Sequence, residues 1–255
     1  MSDTEVSLVE VGKLVSRDPS LALITLRIVN SAFHRLCETV TSVEHAVTLL
    51  DIKVVRNLVL TAAVFDQFQK GEEVLLRHSL ACGIAMRTLG KSGALAKVNI
   101  KQQDELFIYG LLRDVGKIIV QEFMPTEYDQ VRELCTRDKI SSSIAEREVI
   151  GVDHAALGSR LAVKRKLSDG LANAIEDHHD FSQCSDREYR GQAALLCVAD
   201  YMCHAAGIAH PEEAAPVVPE ETWKLTGLTN AEIVPVLEKM FSAVGDIDEL
   251  VELAS

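Results

Sequence analysis

Residues 110–117 read Gly-Leu-Leu-Arg-Asp-Val-Gly-Lys, so that a charged pair, Arg113-Asp114, separates two apolar stretches. The residues on either side of the pair predict one helix over 103–113 and a second over 115–123. The charged pair therefore falls at the junction between two predicted helices.

Helical patterns extend from this segment in both directions. Asp18-Pro19 places an N-cap residue before a proline at the first helical position, and residues 41–44 fit a capping box. Near the C-terminus, apolar residues at helical spacing predict a helix that begins at about Val234 or bends at Pro235. Because strand-like alternation over four or more residues is hard to find, the sequence predicts an all-α fold. Further helices are predicted over about 44–50, 53–68, 73–89, 126–136, 142–149, 153–165, 169–179 and 188–205.

Two breaks between these helices predict the domain organisation. Gly71 ends a helix and separates an N-terminal helical part, 1–71, from a helical bundle over 72–206. Residues 207–222 hold three of the six prolines and four glutamates, which is typical of a loop. We expect residues 207–255 to form this acidic loop and a short C-terminal helical appendage.

The net charge argues against nucleic-acid binding. The chain of 255 residues carries a formal net charge of −12. Residues 1–100 hold 11 Lys and Arg against 10 Asp and Glu, whereas residues 101–255 hold 15 against 28. Such a surface repels phosphate backbones, so we expect no nucleic-acid partner. The tightest basic run, Lys164-Arg165-Lys166, is interpreted as a helix C-terminus, where the helix dipole favours cations.

The cysteines and the lengths of the apolar runs indicate the cellular compartment of the protein. No apolar segment follows Met1, and no run approaches the ~18 apolar residues that span a bilayer. The cysteines form no C-x-x-C pair, and a chain of this length can stabilise its core without disulfides. We therefore expect a cytoplasmic protein with reduced thiols and no membrane partner. The six cysteines are Cys37, Cys82, Cys135, Cys184, Cys197 and Cys203.

Histidines and aspartates are the candidates for a functional site. Imidazole nitrogen and carboxylate oxygen are ligand types that suit Fe, Mn, Zn or Ni. Taken one at a time, a histidine is more often a hydrogen-bonded core or surface residue than a ligand. The candidates, in chain order, are His78, Asp114, His154, His178, His179 and Asp200.

The segment at 110–117 resembles the G-L-L-H-D-I-G-K stretch of HD-domain phosphohydrolases and HD-GYP phosphodiesterases. In those enzymes the His-Asp doublet is the core of a metal centre, which an upstream His, downstream His residues and a distal Asp complete. The resemblance implies that the six candidates match these ligand positions. Two departures stand out: Arg113 replaces the histidine of the doublet, and Asp180-Phe181-Ser182 follows His179 where a G-Y-P segment would be expected.

The N-terminal third resembles the HDOD domain, the HD-related output domain of bacterial signalling proteins. Residues 18–21 match its D-P-x-L opening, and residues 26–33 contain the Asn-Ser-Ala that ends its next helix. Residues 41–50 match a further segment, although Asp51 stands where the family usually has Gly. The resemblance runs from about Val6 to Ala206 and implies an HD-domain-like helical bundle, with the HDOD domain over 1–206.

Arg113 determines what the metal centre can do. A guanidinium has five donors, no lone pair and a permanent charge, so it cannot be a metal ligand. It can pair with Asp114, Asp200 or both and fill the pocket, or it can turn outward and leave the other residues to hold Fe, Mn or a similar divalent metal. We expect the first arrangement and no resident cofactor.

The resemblance and Arg113 together predict a non-catalytic signal-transduction output or scaffold module, without catalytic residues, that acts through a signalling protein partner. Two alternatives stay open. The first is a metal-dependent phosphohydrolase acting on a nucleotide or cyclic dinucleotide. The second is a sensor that binds a small nucleotide without cleaving it, with Arg113 and Lys117 holding phosphate. For Lys117 the resemblance implies a phosphate contact, and the alternative is a solvated or ion-paired helix residue.

Overall fold

The computed structural model describes residues 8–16, 25, 42–49, 73–90, 106–183, 189–209 and 213–254. These residues form α-helices and a single 3-10 turn, Phe181–Gln183, and no strand occurs among them. The all-α prediction is confirmed. In chain order the helices are α1 (Leu8–Val15), α2 (Val43–Leu49), α3 (Glu73–Gly90), α4 (Leu106–Leu112), α5 (Val115–Phe123), α6 (Pro125–Asp138), α7 (Ser142–Val149), α8 (His154–Lys164), α9 (Asp169–Asp177), α10 (Arg190–Ala205), α11 (Glu220–Thr226) and α12 (Asn230–Ala254).

The chain divides into two compact units, residues 1–67 and 68–253. In the first unit α1 packs against α2, and their facing side chains include the buried Val15, Val43 and Val47. Ser42 caps α2, because its Oγ accepts a hydrogen bond from the backbone N–H of His45 at 3.3 Å. The predicted helix at 53–68 and the motifs at 18–21 and 26–33 lie outside the described residues.

In the second unit α3 packs against α4 and α10, while α8 packs against α5 and α9. Two glycines of the segment at 110–117 allow these close approaches. A Cβ on Gly110 would lie 2.5 Å from the backbone carbonyl carbon of Cys82 in α3, and a Cβ on Gly116 would overlap the carbonyl oxygen of His154 in α8. Because neither glycine has a side chain, α3 can pack closely at Gly110 and α8 can pack closely at Gly116, on either side of Arg113-Asp114.

Most predicted helix boundaries agree with the structure to within a few residues, including the helix end at Lys164. The predicted start of the last helix at Val234 is wrong. Thr229 and Glu232 form a capping box in which the Thr229 backbone N–H donates to the Glu232 carboxylate at 2.9 Å. The helix therefore begins at Asn230 and includes Pro235. The loop predicted to reach residue 222 also ends earlier, because α11 begins at Glu220.

Two further features concern the apolar character of the helices and the state of the cysteines. Among the described residues, no helix combines the length and the apolar character that crossing a membrane would require. The cysteines in the described part of the chain are buried thiols without a disulfide bond: Cys82, Cys135, Cys197 and Cys203.

Candidate functional site

Five structural elements of the second unit bring all seven predicted site positions together. Helix α3 supplies His78, the junction of α4 and α5 supplies Arg113 and Asp114, and the remaining residues come from the start of α8, the end of α9 and the middle of α10. All are buried except His179, which is partly exposed. Asp114 lies between two groups: the Arg113 side, which consists of His78, Arg113 and Asp200, and the histidine side, which consists of His154, His178 and His179.

On the Arg113 side the guanidinium lies inward, among three candidate ligands. Its Nη2 donates to Asp114 Oδ2 at 2.7 Å and contacts His78 Nε2, while its Nη1 is 2.8 Å from Asp200 Oδ2. The Arg113 side chain is 2% exposed, so water cannot satisfy these carboxylates. The guanidinium therefore neutralises both aspartates from inside the protein.

The backbone carbonyl of Ile208 determines that Nδ1 of His78 carries a proton. Its Nδ1 lies 2.7 Å from the backbone oxygen of Ile208, to which it donates a hydrogen bond. Its Nε2 contacts the Arg113 guanidinium and also lies 3.2 Å from Asp200 Oδ1. The imidazole atom that would bind a metal is thus engaged by an arginine donor.

On the histidine side, two rings approach the other oxygen of Asp114, and the third ring contacts one of them. His154 Nε2 lies 3.2 Å from Asp114 Oδ1, His178 Nε2 lies 3.7 Å from it, and His179 Nε2 lies 2.9 Å from His154 Nε2. Glu146 of α7 orients His154 by accepting hydrogen bonds from its backbone N–H at 2.6 Å and its Nδ1 at 2.7 Å. His178 donates from Nδ1 to the Ile175 carbonyl at 2.6 Å, which leaves its Nε2 lone pair directed at the cluster.

Burial and nearby charges shift the pKa values of His154 and His178 in opposite directions. Burial alone would lower the pKa of His154, but the Glu146 carboxylate and the hydrogen bond with Asp114 raise it to about 9. Burial lowers the pKa of His178 to about 4, with the Arg113 charge acting in the same direction. At neutral pH His154 is therefore protonated and His178 is neutral.

Lys117, one turn after Asp114, is buried and ion-paired rather than solvated. Its Nζ lies 2.7 Å and 3.0 Å from the two carboxylate oxygens of Glu213 and 3.6 Å from Asp114 Oδ2. Burial would lower the pKa of Lys117, but the carboxylates of Asp114 and Glu213 raise it above its usual range. Lys117 therefore stays charged in a buried ion pair with Glu213.

The two sides differ in how well they fit the divalent metal that the HD resemblance implies. The Arg113 side does not fit one, because a permanent cation occupies the space between His78, Asp114 and Asp200. The histidine side has suitable donors: His178 Nε2 is buried without a hydrogen-bond partner among the described residues, and Asp114 Oδ1 faces the ring nitrogens of His154 and His178 at 3.2 and 3.7 Å. The three histidines of this side also offer ligand atoms within 4.8 Å of one another.

The sequence analysis missed three residues of this site. His204 lies four residues after Asp200, and its Nε2 is 3.5 Å from Asp200 Oδ1, so the i, i+4 spacing on a helix could have identified it. Glu146 and Glu213 are ordinary members of acidic segments in the sequence. Only the tertiary packing distinguishes them from their neighbours.

Comparison with solved structures shows that the fold is shared over nearly the whole chain. An HDOD domain protein of unknown function from Geobacter sulfurreducens is 22% identical, with a TM-score of 0.73 over 100% of this chain and 88% of that chain. A candidate signal transduction protein from Marinobacter aquaeolei VT8 is 18% identical, with a TM-score of 0.75 over 99% of this chain and 56% of that chain. A candidate phosphohydrolase from Shewanella amazonensis SB2B is 20% identical, with a TM-score of 0.69 over 100% and 89%.

Sequence comparison agrees with the structural one. An uncharacterized protein of Treponema pallidum (strain Nichols) is 22% identical over 218 residues, which cover 85% of this chain. The match covers 42% of the Treponema protein, so the chain spans less than half the length of this curated relative. A family model of the HDOD domain matches residues 1–181. Since that match takes in most of the chain, the protein belongs to the HDOD domain family.

Proposed function

We propose that this HDOD chain is a non-catalytic signal-transduction output module that acts through contacts with a signalling protein partner. The observation that supports the proposal is the position of the Arg113 guanidinium between His78, Asp114 and Asp200. A metal centre with the ligands of the HD resemblance would need this space for a divalent cation. Arginine takes the space with a charge that cannot be removed at physiological pH.

The chemistry of arginine explains why such a centre would lose hydrolysis. Hydrolysis of a phosphate ester at neutral pH requires an activated water, and a metal provides it by lowering the pKa of the bound water. A guanidinium offers donors but no coordination position, so it stabilises the two carboxylates without activating water. The helical frame around it can still present surfaces to a partner. The shared fold with a candidate signal transduction protein supports the signalling role.

The metal content of the purified protein tests the proposal. We expect wild-type protein, prepared without chelator and then loaded with Fe(II) or Mn(II), to hold less than about a tenth of an equivalent by elemental mass spectrometry. Arg113→His should raise the content, because it restores a ligand and removes the opposing charge. Near one equivalent in the wild type would contradict the metal-free module.

The second candidate is a metal-dependent phosphohydrolase with a single metal ion on the histidine side. The unpaired His178 Nε2 and the buried Asp114 Oδ1 that faces it at 3.7 Å favour this candidate. Asp114, His154, His178 and His179 would hold the ion, with His154 giving up the proton that it carries at neutral pH, and the ion would supply an activated water. Glu146 would hold the His154 ring in its orientation by accepting the hydrogen bond from its Nδ1.

Metal content also distinguishes the non-catalytic module from the single-metal phosphohydrolase. Near one equivalent in the wild type that is lost in His154→Asn would support the single-metal enzyme, and a phosphodiesterase assay would follow. Arg137→Gln serves as a control in both preparations, because Arg137 is exposed at the surface, where it pairs with Asp138. A metal content that His154→Asn leaves unchanged would exclude this site as the place where the metal binds.

A further inference from the structure

The end of helix α8 carries a group of positive charges that takes no part in the candidate site. Residues 160–166 hold four basic residues and no acidic one, whereas residues 101–255 as a whole hold 15 basic against 28 acidic residues. The four side chains are exposed, and we call them the basic patch: Arg160, Lys164, Arg165 and Lys166. The basic patch is thus a local exception in the acidic part of the chain.

Three cations of the basic patch have no partner within the described part of the chain. The side chains of Arg160, Lys164 and Arg165 form neither an ion pair nor a hydrogen bond with any described residue. Asp169, the next acidic residue along the chain, is exposed in the first turn of α9, where the helix dipole favours an anion. The charges of these three side chains are therefore available to a partner.

Backbone hydrogen bonds complete the end of α8, so its carbonyl groups do not need the basic side chains. The N–H groups of Arg165, Lys166 and Leu167 donate to carbonyl oxygens of the last turn at 2.9, 2.9 and 3.0 Å, in a Schellman motif. In this motif Lys166 has a φ of 57°, a conformation that glycine adopts at a lower cost. The chain thus carries a cation at a position where the backbone favours glycine.

Helix α6 has a comparable end without an excess of positive charge. It also ends in a lysine with a positive φ, Lys139 at 55°. There, acidic residues balance the basic ones, because Arg137 pairs with Asp138 at 2.7 Å and Glu133 is exposed one turn earlier. The helix dipole acts at both ends, so it does not by itself explain four unbalanced cations at the end of α8.

Apolar side chains lie among the cations of the basic patch. The spacing i, i+3, i+4 places Arg160, Val163 and Lys164 on one face of α8, opposite the buried face of the helix. Val163 is 62% exposed, and Leu157 and Leu161 are partly exposed. Apolar and cationic side chains therefore share a surface of about two helical turns, a combination that suits a protein partner.

The charge of the surrounding chain favours a small anionic partner over an extended one. Duplex DNA and an anionic bilayer are extended surfaces, so they would also face the acidic residues that outnumber the basic ones after residue 100. Charges more than about 8 Å apart are largely screened at physiological salt, so a short acidic segment that stays on the basic patch avoids this repulsion. Apolar residues in such a segment would contact Val163.

We propose that the basic patch and Val163 form a docking surface for an acidic segment of a protein partner. The proposal rests on the signalling role proposed above, for which it names the chemistry of the partner. Complementary charges accelerate the association and exclude basic partners, while Val163 supplies the apolar contact.

Fluorescence anisotropy of a labelled peptide with the repeat Glu-Glu-Leu, as long as α8, tests this surface in the presence of a chelator. We expect saturable binding to the full chain at physiological ionic strength, with an affinity that falls as the salt concentration rises. The patch variant, which combines Arg160→Gln, Lys164→Gln and Arg165→Gln, should bind about tenfold or more weakly. Val163→Ser should also weaken binding but should leave its salt dependence unchanged.

The matched control removes three exposed cations elsewhere in the chain, by Arg137→Gln, Lys139→Gln and Lys224→Gln. It changes the net charge by the same amount as the patch variant and should bind the peptide as the wild type does. Urea titration measures the stability of each variant. If the cations served only the end of α8, the patch variant would lose stability and keep its affinity, and that result would overturn the proposal. Absence of binding to the wild type, or an equal loss in the control, would also overturn it.

A labelled DNA duplex and vesicles of phosphatidylserine and phosphatidylcholine are measured with the same proteins. Tighter binding of either than of the peptide, lost in the patch variant, would overturn the assignment to an acidic protein segment. Metal content tests the non-catalytic role separately. A low metal content without peptide binding would refute the docking surface alone, whereas a metal content near one equivalent with peptide binding would refute the non-catalytic role alone.

Discussion

The energetic role of Arg113 follows from the two carboxylates that it neutralises. Asp114 and Asp200 are 1% and 5% exposed, and burial would raise the pKa of each, but the Arg113 charge holds both pKa values well below their usual range. Both groups are therefore anionic inside the protein. Without the guanidinium, Asp200 would lose its main cation and Asp114 would keep only Lys117 and His154 among the described residues.

Arg113→Met should therefore be strongly destabilising. We expect it to lower the free energy of unfolding by about 3–5 kcal/mol in urea titrations, because it leaves two buried carboxylates without their cation. Arg137→Met is the matched control and should leave stability nearly unchanged, since the pair of Arg137 with Asp138 lies at the surface. A loss in Arg113→Met no larger than that in the control would show that the guanidinium is not needed for folding.

His154 and His178 should give stability opposite pH dependences. His154 has a pKa of about 9 against an ordinary 6.5, so its contribution is complete below pH 6.5 and is lost as the pH rises through 9. His178 has a pKa of about 4, so its contribution is complete above pH 6.5 and is lost as the pH falls through 4. The summed contribution of the two residues should be largest near pH 6.5.

Urea titrations of chelator-treated protein between pH 4 and 10 measure this profile. Glu146→Gln should flatten the alkaline decline, because the carboxylate that raises the pKa of His154 is lost. Glu148→Gln is the control, since Glu148 is exposed on the same helix. An alkaline decline that persists unchanged in Glu146→Gln would contradict the assignment to His154.

The sequence predicted which residues meet at the site better than it predicted their partners. His78, Asp114, His154, His178, His179 and Asp200 could be chosen because a motif order connected them. Glu146 and Glu213 could not, because an acidic residue in an acidic segment carries no signal of its own. Their roles depend on how α7 and the segment at Glu213 approach α5 and α8, which is a tertiary property.

At the scale of helices, the contact between α5 and α8 depends on Gly116. A side chain there would meet the His154 backbone, which cannot move without shifting the start of α8. The same glycine therefore controls both the packing of the two helices and the position of a site histidine. Gly90, at the end of α3, offers a comparison, because a Cβ there would meet the end of the flexible Leu106 side chain.

Gly116→Ala should lower the free energy of unfolding by about 1–3 kcal/mol, because the added methyl group forces the backbones of α5 and α8 apart. Gly90→Ala should cost less, since the Leu106 side chain can change its rotamer. Urea denaturation of the two variants measures the difference. Equal costs would mean that the helices tolerate separation at Gly116.

Helix boundaries illustrate where local sequence information is sufficient. Pro235 left two alternatives for α12, a start at about Val234 or a bend at the proline, and the capping box at Thr229 and Glu232 decides for the earlier start. Both signals are local, and the capping box is the stronger because it satisfies N–H groups that the first turn leaves without partners. The close approach at Gly116, by contrast, connects residues far apart in the chain and leaves no local pattern.

At the scale of the whole molecule, the uneven charge should prevent binding to nucleic acids. The region after residue 100 carries 15 basic against 28 acidic residues, so contact with DNA would release few counterions and would add repulsion. We expect no change in the fluorescence anisotropy of a labelled DNA duplex at low salt, with a basic DNA-binding protein as the positive control. A saturable and salt-sensitive rise would contradict this expectation.

The guanidinium between Asp114 and Asp200 has one further consequence. A metal ion reaches a protein by diffusion, and its occupancy changes with supply, chelators and oxidation. A cation that is synthesised as part of the chain is present in every molecule from the moment of folding. We therefore expect the arrangement of α3, α5 and α10 around Arg113 not to change with the supply of metal.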